Sequence, residues 1–162
     1  MEFAGSDPII VPAGEGKVFN VFGETITCKL YSEDTAEAFT MYEVETPPNG
    51  GAPLHQHLKE DETCFVLEGE YEVHCGNRRF KVAPRMVFLL PRDVPHAFRN
   101  VGKTAGRMLV ISAPGGVEKF YEELSQAPPE AVADSSRLKK LARRHHIELL
   151  GLSSASPGKP GG

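Results

Sequence analysis

The chain has 162 residues, with 18 Lys and Arg against 22 Asp and Glu, giving a formal net charge of −4. That length suits one domain able to bury a core without disulfide staples, and the acidic balance argues against a broad nucleic-acid or anionic-membrane footprint. No apolar run reaches the roughly 18–20 residues that span a bilayer, so the expectation is a soluble protein with neither nucleic-acid nor membrane partners.

Taken in chain order, the start MEFAGSDPIIVPAG lacks the basic segment and long apolar stretch of a signal peptide. From Lys17 to Ser112 the sequence is a succession of short strand-like runs. KVFNVFG breaks at Gly23, and TITCKLY then alternates Ile26, Cys28 and Leu30 against Thr25, Thr27 and Lys29. AFTMYEVE is rich in aromatic and β-branched residues and ends at Pro47-Pro48-Asn49-Gly50-Gly51. PLHQHLKEDETCFVLEGE follows, and EYEVHC then turns at Gly76-Asn77 and returns as RRFKV, a hairpin pattern. MVFLLP and RMLVIS are continuous apolar runs ending at Pro91 and at Pro114-Gly115-Gly116. Many short strands with Gly/Pro turns and no interleaved helices predict an all-β sandwich or jelly-roll barrel.

The character changes after Gly116. Val117, Phe120, Tyr121 and Leu124 recur at helical spacing, and Pro128-Pro129 stops that helix. Leu138, Leu141, Ala142 and His145 mark a second helix, with Asp134 or Ser135 as N-cap. GLSSASPGKPGG has little to pack and reads as a disordered tail. The expected organisation is a barrel over 1–116, helices packed on it over 117–150, and a flexible tail over 151–162. Cys28, Cys64 and Cys75 make an odd count without a CxxC pair, which suits thiols of a reducing compartment, and cytoplasm is the expected location. The basic residues Lys139, Lys140, Arg143 and Arg144 read as a solvated helix face.

The chemistry concentrates in residues 53–70. Successive strand side chains point to opposite faces, so His55 and His57 share one face about 7 Å apart. Glu62 opens the next strand, and LLPRDVPHAFRN supplies His96 at the head of another. Three imidazoles and a carboxylate are a transition-metal donor set that leaves positions open for water, O2 or substrate. Cys64 shares the face of Glu62 and reads as a small buried hydrophobe. His74 alternates with Glu70 and Glu72 on a solvated face. Phe88, Leu90 and Phe98 share the parity that would bring them inward as a substrate-pocket wall. Tyr42 and Met41 face opposite ways, and only one can line the cavity.

Residues 49–69 and 84–100 resemble the two motifs of the cupin superfamily. The first stands here as the Gly/Pro-rich lead Asn49-Gly50-Gly51-Ala52-Pro53, then His55-Gln56-His57, four residues, Glu62, six residues and Gly69. Of the second, Pro91, His96 and Asn100 match, while Arg85 and Asp93 stand where glycines are expected. Asp tolerates the left-handed conformation, and Pro84-Arg85 can centre a type I turn without glycine. The C-terminal helices look like those of single-domain, quercetinase-like members.

The resemblance implies a double-stranded β-helix with two short C-terminal helices. It also implies one divalent metal (Mn, Fe, Co, Ni, Cu or Zn) on His55, His57, Glu62 and His96. The activity it suggests is that of a quercetin 2,3-dioxygenase-like enzyme acting with O2 on a flavonol- or enediol-like small molecule, with Glu62 as ligand and proton acceptor. A non-oxidative isomerase, cyclase or lyase, in which the metal acts as Lewis acid, is the alternative, and a non-catalytic small-molecule or metal-binding module is a third reading. Pairing of two subunits through N-terminal strands would make a homodimer, with PIIVPAGEGKVF supplying the strand.

Overall fold

The computed structural model describes residues 7–151. Eleven strands form among them: β1 Lys17–Val21, β2 Glu24–Leu30, β3 Thr40–Thr46, β4 His55–His57, β5 Asp61–Glu68, β6 Tyr71–Cys75, β7 Arg78–Val82, β8 Val87–Leu90, β9 His96–Asn100, β10 Gly106–Ala113 and β11 Ile147–Leu149. They make two antiparallel sheets, β1-β2-β3-β10-β5-β8 and β11-β4-β9-β6-β7. The result is the all-β sandwich with short C-terminal helices that the sequence predicts.

The alternation read from sequence is the mechanism of the core. Along β5, Glu62, Cys64 and Val66 are buried while their neighbours are half-buried, and along β10 Gly106, Met108, Val110 and Ser112 turn inward. Burying such apolar residues contributes about 1.5–3 kcal/mol per large side chain. The Gly76-Asn77 hairpin forms as expected, with Cys75 paired to Arg78.

The two departures from the expected glycines resolve differently. Asp93 adopts φ 61°, as its tolerance for that region allows, and its N–H donates to the His57 carbonyl at 2.8 Å. Arg85 adopts φ 74°, and Met86 N donates to Ala83 O at 3.1 Å. With Pro84 before it, this is a type II turn and not the expected type I. The left-handed conformation costs a non-glycine residue roughly 1–2 kcal/mol; the Arg85 N–H bond to Val66 O at 2.9 Å helps to hold it.

Three helices, not two, follow the strands: α1 Val117–Gln126, α2 Pro129–Ala133 and α3 Ser135–Arg144. Val117, Phe120, Tyr121 and Leu124 are buried as predicted. Pro128-Pro129 does end α1, but Pro129 then occupies the first turn of α2, where its missing N–H costs nothing. Asp134 is the N-cap of α3, accepting from Ser136 N at 2.9 Å and Arg137 N at 3.2 Å. The segment expected to stay helical to residue 150 instead ends in β11, which pairs Ile147 with His57 and Leu149 with His55. Of the predicted tail only Gly151 is described; residues 152–162 lie outside the described residues. Among the described residues no helix is long and apolar enough to cross a membrane.

Candidate metal centre

β4 lies between β11 and β9, with His55 directly opposite His96. The lead before β4 is clamped to β9 by bonds from Asn49 N to Asn100 O (3.0 Å) and from Asn100 N to Gly50 O (2.9 Å). A Cβ on Gly51 would stand 1.9 Å from Phe98 O, so only glycine allows this approach. The Asn100 side chain donates to Thr46 O at 3.0 Å and Thr104 O at 2.9 Å, and accepts from Gly102 N at 2.9 Å. The motif asparagine thus fixes the strand that carries His96.

The structure brings His55, His57, Glu62 and His96 together, with one ligand atom from each inside a set spanning no more than 4.8 Å. His57, Glu62 and His96 are buried and His55 is half-buried. His55 Nδ1–H donates to Pro53 O at 2.7 Å and His96 Nδ1–H to Val94 O at 2.9 Å. A carbonyl can only accept, so these bonds fix the tautomer and leave each Nε2 lone pair free. Glu62 Oε2 lies 3.2 Å from His96 Nε2 and 3.5 Å from His57 Nε2. Converging lone pairs and a carboxylate repel unless a cation lies among them, so the donor set fits a divalent metal.

Burial alone would raise the Glu62 pKa, but positive charge on its imidazole neighbours, His57 foremost and then His96, outweighs it and holds the carboxyl well below its usual range. Burial, reinforced by His57 and His96, lowers His55 to about 3 and keeps it a neutral donor. Burial pulls His57 down as well, but Glu62 and Glu60 outweigh it and its pKa is raised.

Behind these side chains, Tyr42 decides the question that parity left open: it is buried, it lines the cavity, and its hydroxyl donates to Glu62 Oε1 at 2.7 Å. Met41 faces the other way and is only half-buried. Ser112 Oγ lies 3.0 Å from Tyr42 Oη, and the Tyr121 ring from α1 meets Tyr42 edge-on at 5.6 Å. Cys64 lines the same space, and burial followed by the Glu62 charge pushes its thiol well up, so it is inert. Glu60 stands 3.4 Å from His57 Nδ1, the one ligand imidazole without a backbone acceptor. Groups that orient ligands typically alter metal affinity 10–100-fold, so Glu60→Gln is expected to weaken metal binding by about that factor. Competition against a coloured chelator measures it, and an unchanged affinity would remove Glu60 from the site.

The cavity holds ≈ 60 Å³ and is walled by apolar residues, among them Leu90, Phe98, Val110 and Phe120, with Ile147 and Leu149 from β11. Leu90 and Phe98 line this cavity. Phe88 does not: it points inward but packs against Phe80, ring centroids 6.0 Å apart, and fills the barrel. Phe22, Ala52, Pro53 and Phe98 are shared with an open outer groove of ≈ 530 Å³ that also touches Glu72, Arg99 and the half-buried His74. Sequence reasoning missed Tyr121, read only as helix core, as well as Glu24, Glu60, Ser112 and β11.

The family model described as Cupin domain matches residues 42–112. Polyketide synthase CurC of Streptomyces cyaneus is 26% identical over 107 residues, covering 66% of this chain and 64% of that protein. The chain therefore spans slightly less than two thirds of that relative. The polyketide cyclase RemF from Streptomyces resistomycificus superposes with TM-score 0.59 at 26% identity, covering 66% of this chain and 80% of that one. KdgF from Halomonas sp. gives TM-score 0.62 at 15% identity over 70% and 99% of the two chains, a likeness of fold.

Proposed function

We propose that this chain, whose residues 42–112 match the family model described as Cupin domain, is a metal-dependent enzyme that forms an enolate from a carbonyl or enediol substrate, as in a cyclase or isomerase. The observation that carries the reading is Glu62. Its Oε2 faces the Nε2 atoms of His57 and His96, while its Oε1 accepts from Tyr42 at the wall of a largely apolar cavity. His55, His57, Glu62 and His96 would hold the metal, which supplies Lewis acidity and, if redox-active, O2 chemistry.

The chain's own groups do the rest. Glu62 is the one carboxylate among the four converging groups, and it takes a proton from the substrate carbon or hydroxyl when the two come within hydrogen-bond reach. Tyr42 steadies it through Oε1, while Oε2 faces the rings of His57 and His96. Leu90, Phe98, Val110 and Phe120 exclude water, which strengthens every charge inside. Ligand pockets commonly measure about 300–1,000 Å³. The inner cavity alone is far smaller, so it suits the reactive end of a molecule whose remainder lies in the outer groove. The likeness to CurC and RemF supports cyclisation of a polyketide-like chain over other chemistries.

Ring cleavage by O2 is the second reading, supported by a donor set that accepts iron, manganese, nickel and copper as readily as zinc. The likeness to CurC and RemF favours the first reading. Pairing of two copies through the N-terminal segment belongs to the proposal too, supported by the exposure of Ile9 and Ile10 in the segment before β1 and of Val18 on β1, the edge strand of its sheet.

The test is elemental analysis of the purified protein, followed by hydrogen–deuterium exchange into dihydroxyacetone in D2O, with O2 consumption recorded in parallel. Metal-dependent exchange without O2 uptake is the expected result. O2 uptake on adding a flavonol transfers the reading to a dioxygenase, and no stoichiometric metal overturns both.

A further inference from the structure

Glu24, the first residue of β2, is 4% exposed. One of its oxygens accepts from Thr46 Oγ1 at 2.7 Å, and the other makes no hydrogen bond among the described residues. No cation pairs with it among those residues, yet its side chain lines the same cavity as His55, His57 and Glu62. Its neighbours in that wall are Val21, Ile26 and Val44. Buried carboxyls are almost always paired, and an apolar residue of similar volume would serve packing as well or better. Binding pockets, in contrast, combine apolar walls with a few placed polar groups.

We propose that Glu24 is a specificity-determining residue, whose unpaired oxygen meets an uncharged hydroxyl or carbonyl of the substrate while another part of the same molecule meets the His–Glu cluster. This rests on the reading of that cluster as a metal-dependent active site. Burial pushes the Glu24 carboxyl up to about 7, against the Thr46 bond and with a further push from the Glu62 charge. Near neutrality it therefore both donates to a carbonyl and accepts from a hydroxyl. A substrate anion at this position would face Glu24 and Glu62 together and be repelled. The ligand class that follows is a molecule oxygenated at two separated positions and neutral at the end held by Glu24.

The experiment uses the metal-loaded full chain and hydroxamic acids as metal-directed probes. A series of ω-hydroxyalkyl hydroxamic acids of increasing length is compared with the n-alkyl isosteres in which CH3 replaces OH, so that no distance need be assumed. Wild type is expected to prefer the hydroxyl member at one or two chain lengths by about tenfold, the worth of one buried hydrogen bond. Glu24→Leu is expected to abolish or invert that preference. Glu24→Gln, which keeps an acceptor for Thr46, is expected to retain part of it, and both variants are expected to keep the wild-type metal content. Binding of both series with intact metal dependence but no preference, or a preference indifferent to Glu24→Leu, overturns the role of Glu24 and leaves the metal centre standing. Failure of every hydroxamate to bind in a metal-dependent way overturns the metal-centre reading and this inference with it.

Discussion

Glu62→Gln is expected to lower turnover by about 10²–10⁴-fold, the usual worth of a positioned proton acceptor. The substitution keeps the shape of the side chain and an acceptor for the Tyr42 hydroxyl, so the wall of the cavity has no reason to collapse. What it removes is the negative charge that faces His57 and His96. Two effects follow and are measured separately. Metal occupancy falls because the one anionic donor of the four becomes neutral, and elemental analysis reads that loss. When excess metal restores occupancy, the remaining deficit is the proton-transfer role, read as kcat at saturating substrate. Full recovery of kcat on reloading would show that Glu62 serves only as a ligand. Loss of neither metal nor turnover would place the chemistry elsewhere.

The four ligand candidates were legible in the sequence because strand parity follows from covalent geometry. His-Gln-His in a strand puts two imidazoles on one face whatever surrounds it, and breaker residues located the strands of Glu62 and His96. Parity says which face, however, and not how deep. Phe88 and Leu90 point the same way, but two residues separate them by about 7 Å along the strand, and only Leu90 reaches the cavity. Parity was equally unable to choose between Met41 and Tyr42, because the choice depends on which face of β3 the second sheet covers. The three residues of β11 are too few to show a period, and they form a strand because β4 offers them an edge. Glu24 was invisible for a related reason: a glutamate after Phe22-Gly23 reads as part of a turn, whereas the strand begins at it. Arg85 shows a rule applied correctly and overridden, since Pro-Arg suits a type I turn by propensity but the bond from Arg85 N to Val66 O holds the left-handed alternative.

Glu118→Ala is expected to destabilise the fold by about 3–5 kcal/mol, because each buried donor left without its acceptor costs about 1–3 kcal/mol and relaxation recovers part of the sum. Glu118 is 2% exposed in the first turn of α1. Its Oε1 accepts from Ser32 N at 3.1 Å and from the Ser32 hydroxyl, and its Oε2 from the Thr40 hydroxyl and from Gly116 N at 3.1 Å. One carboxylate thereby pins α1 to the turn after β2 and to the head of β3, which keeps Tyr121 against Tyr42 in the cavity wall. Burial works to raise its pKa, but the bonds from Ser32 and Thr40 outweigh it and hold the carboxyl below its ordinary value of 4.5. A carboxyl depressed by folding contributes stability that is present above its unfolded pKa and lost as pH falls through the folded one. The gap between wild type and Glu118→Ala in urea denaturation is therefore expected to be full at pH 7 and to narrow below about pH 4.5, where the unfolded chain begins to bind the proton that the folded chain refuses. Glu118→Gln, which keeps one acceptor oxygen but turns an amide toward two of the donors, is expected to fall between the two. A gap below about 1 kcal/mol at neutral pH, well under the cost of orphaning these donors, or one that does not narrow in acid, would show that the carboxylate is not what pins the helix.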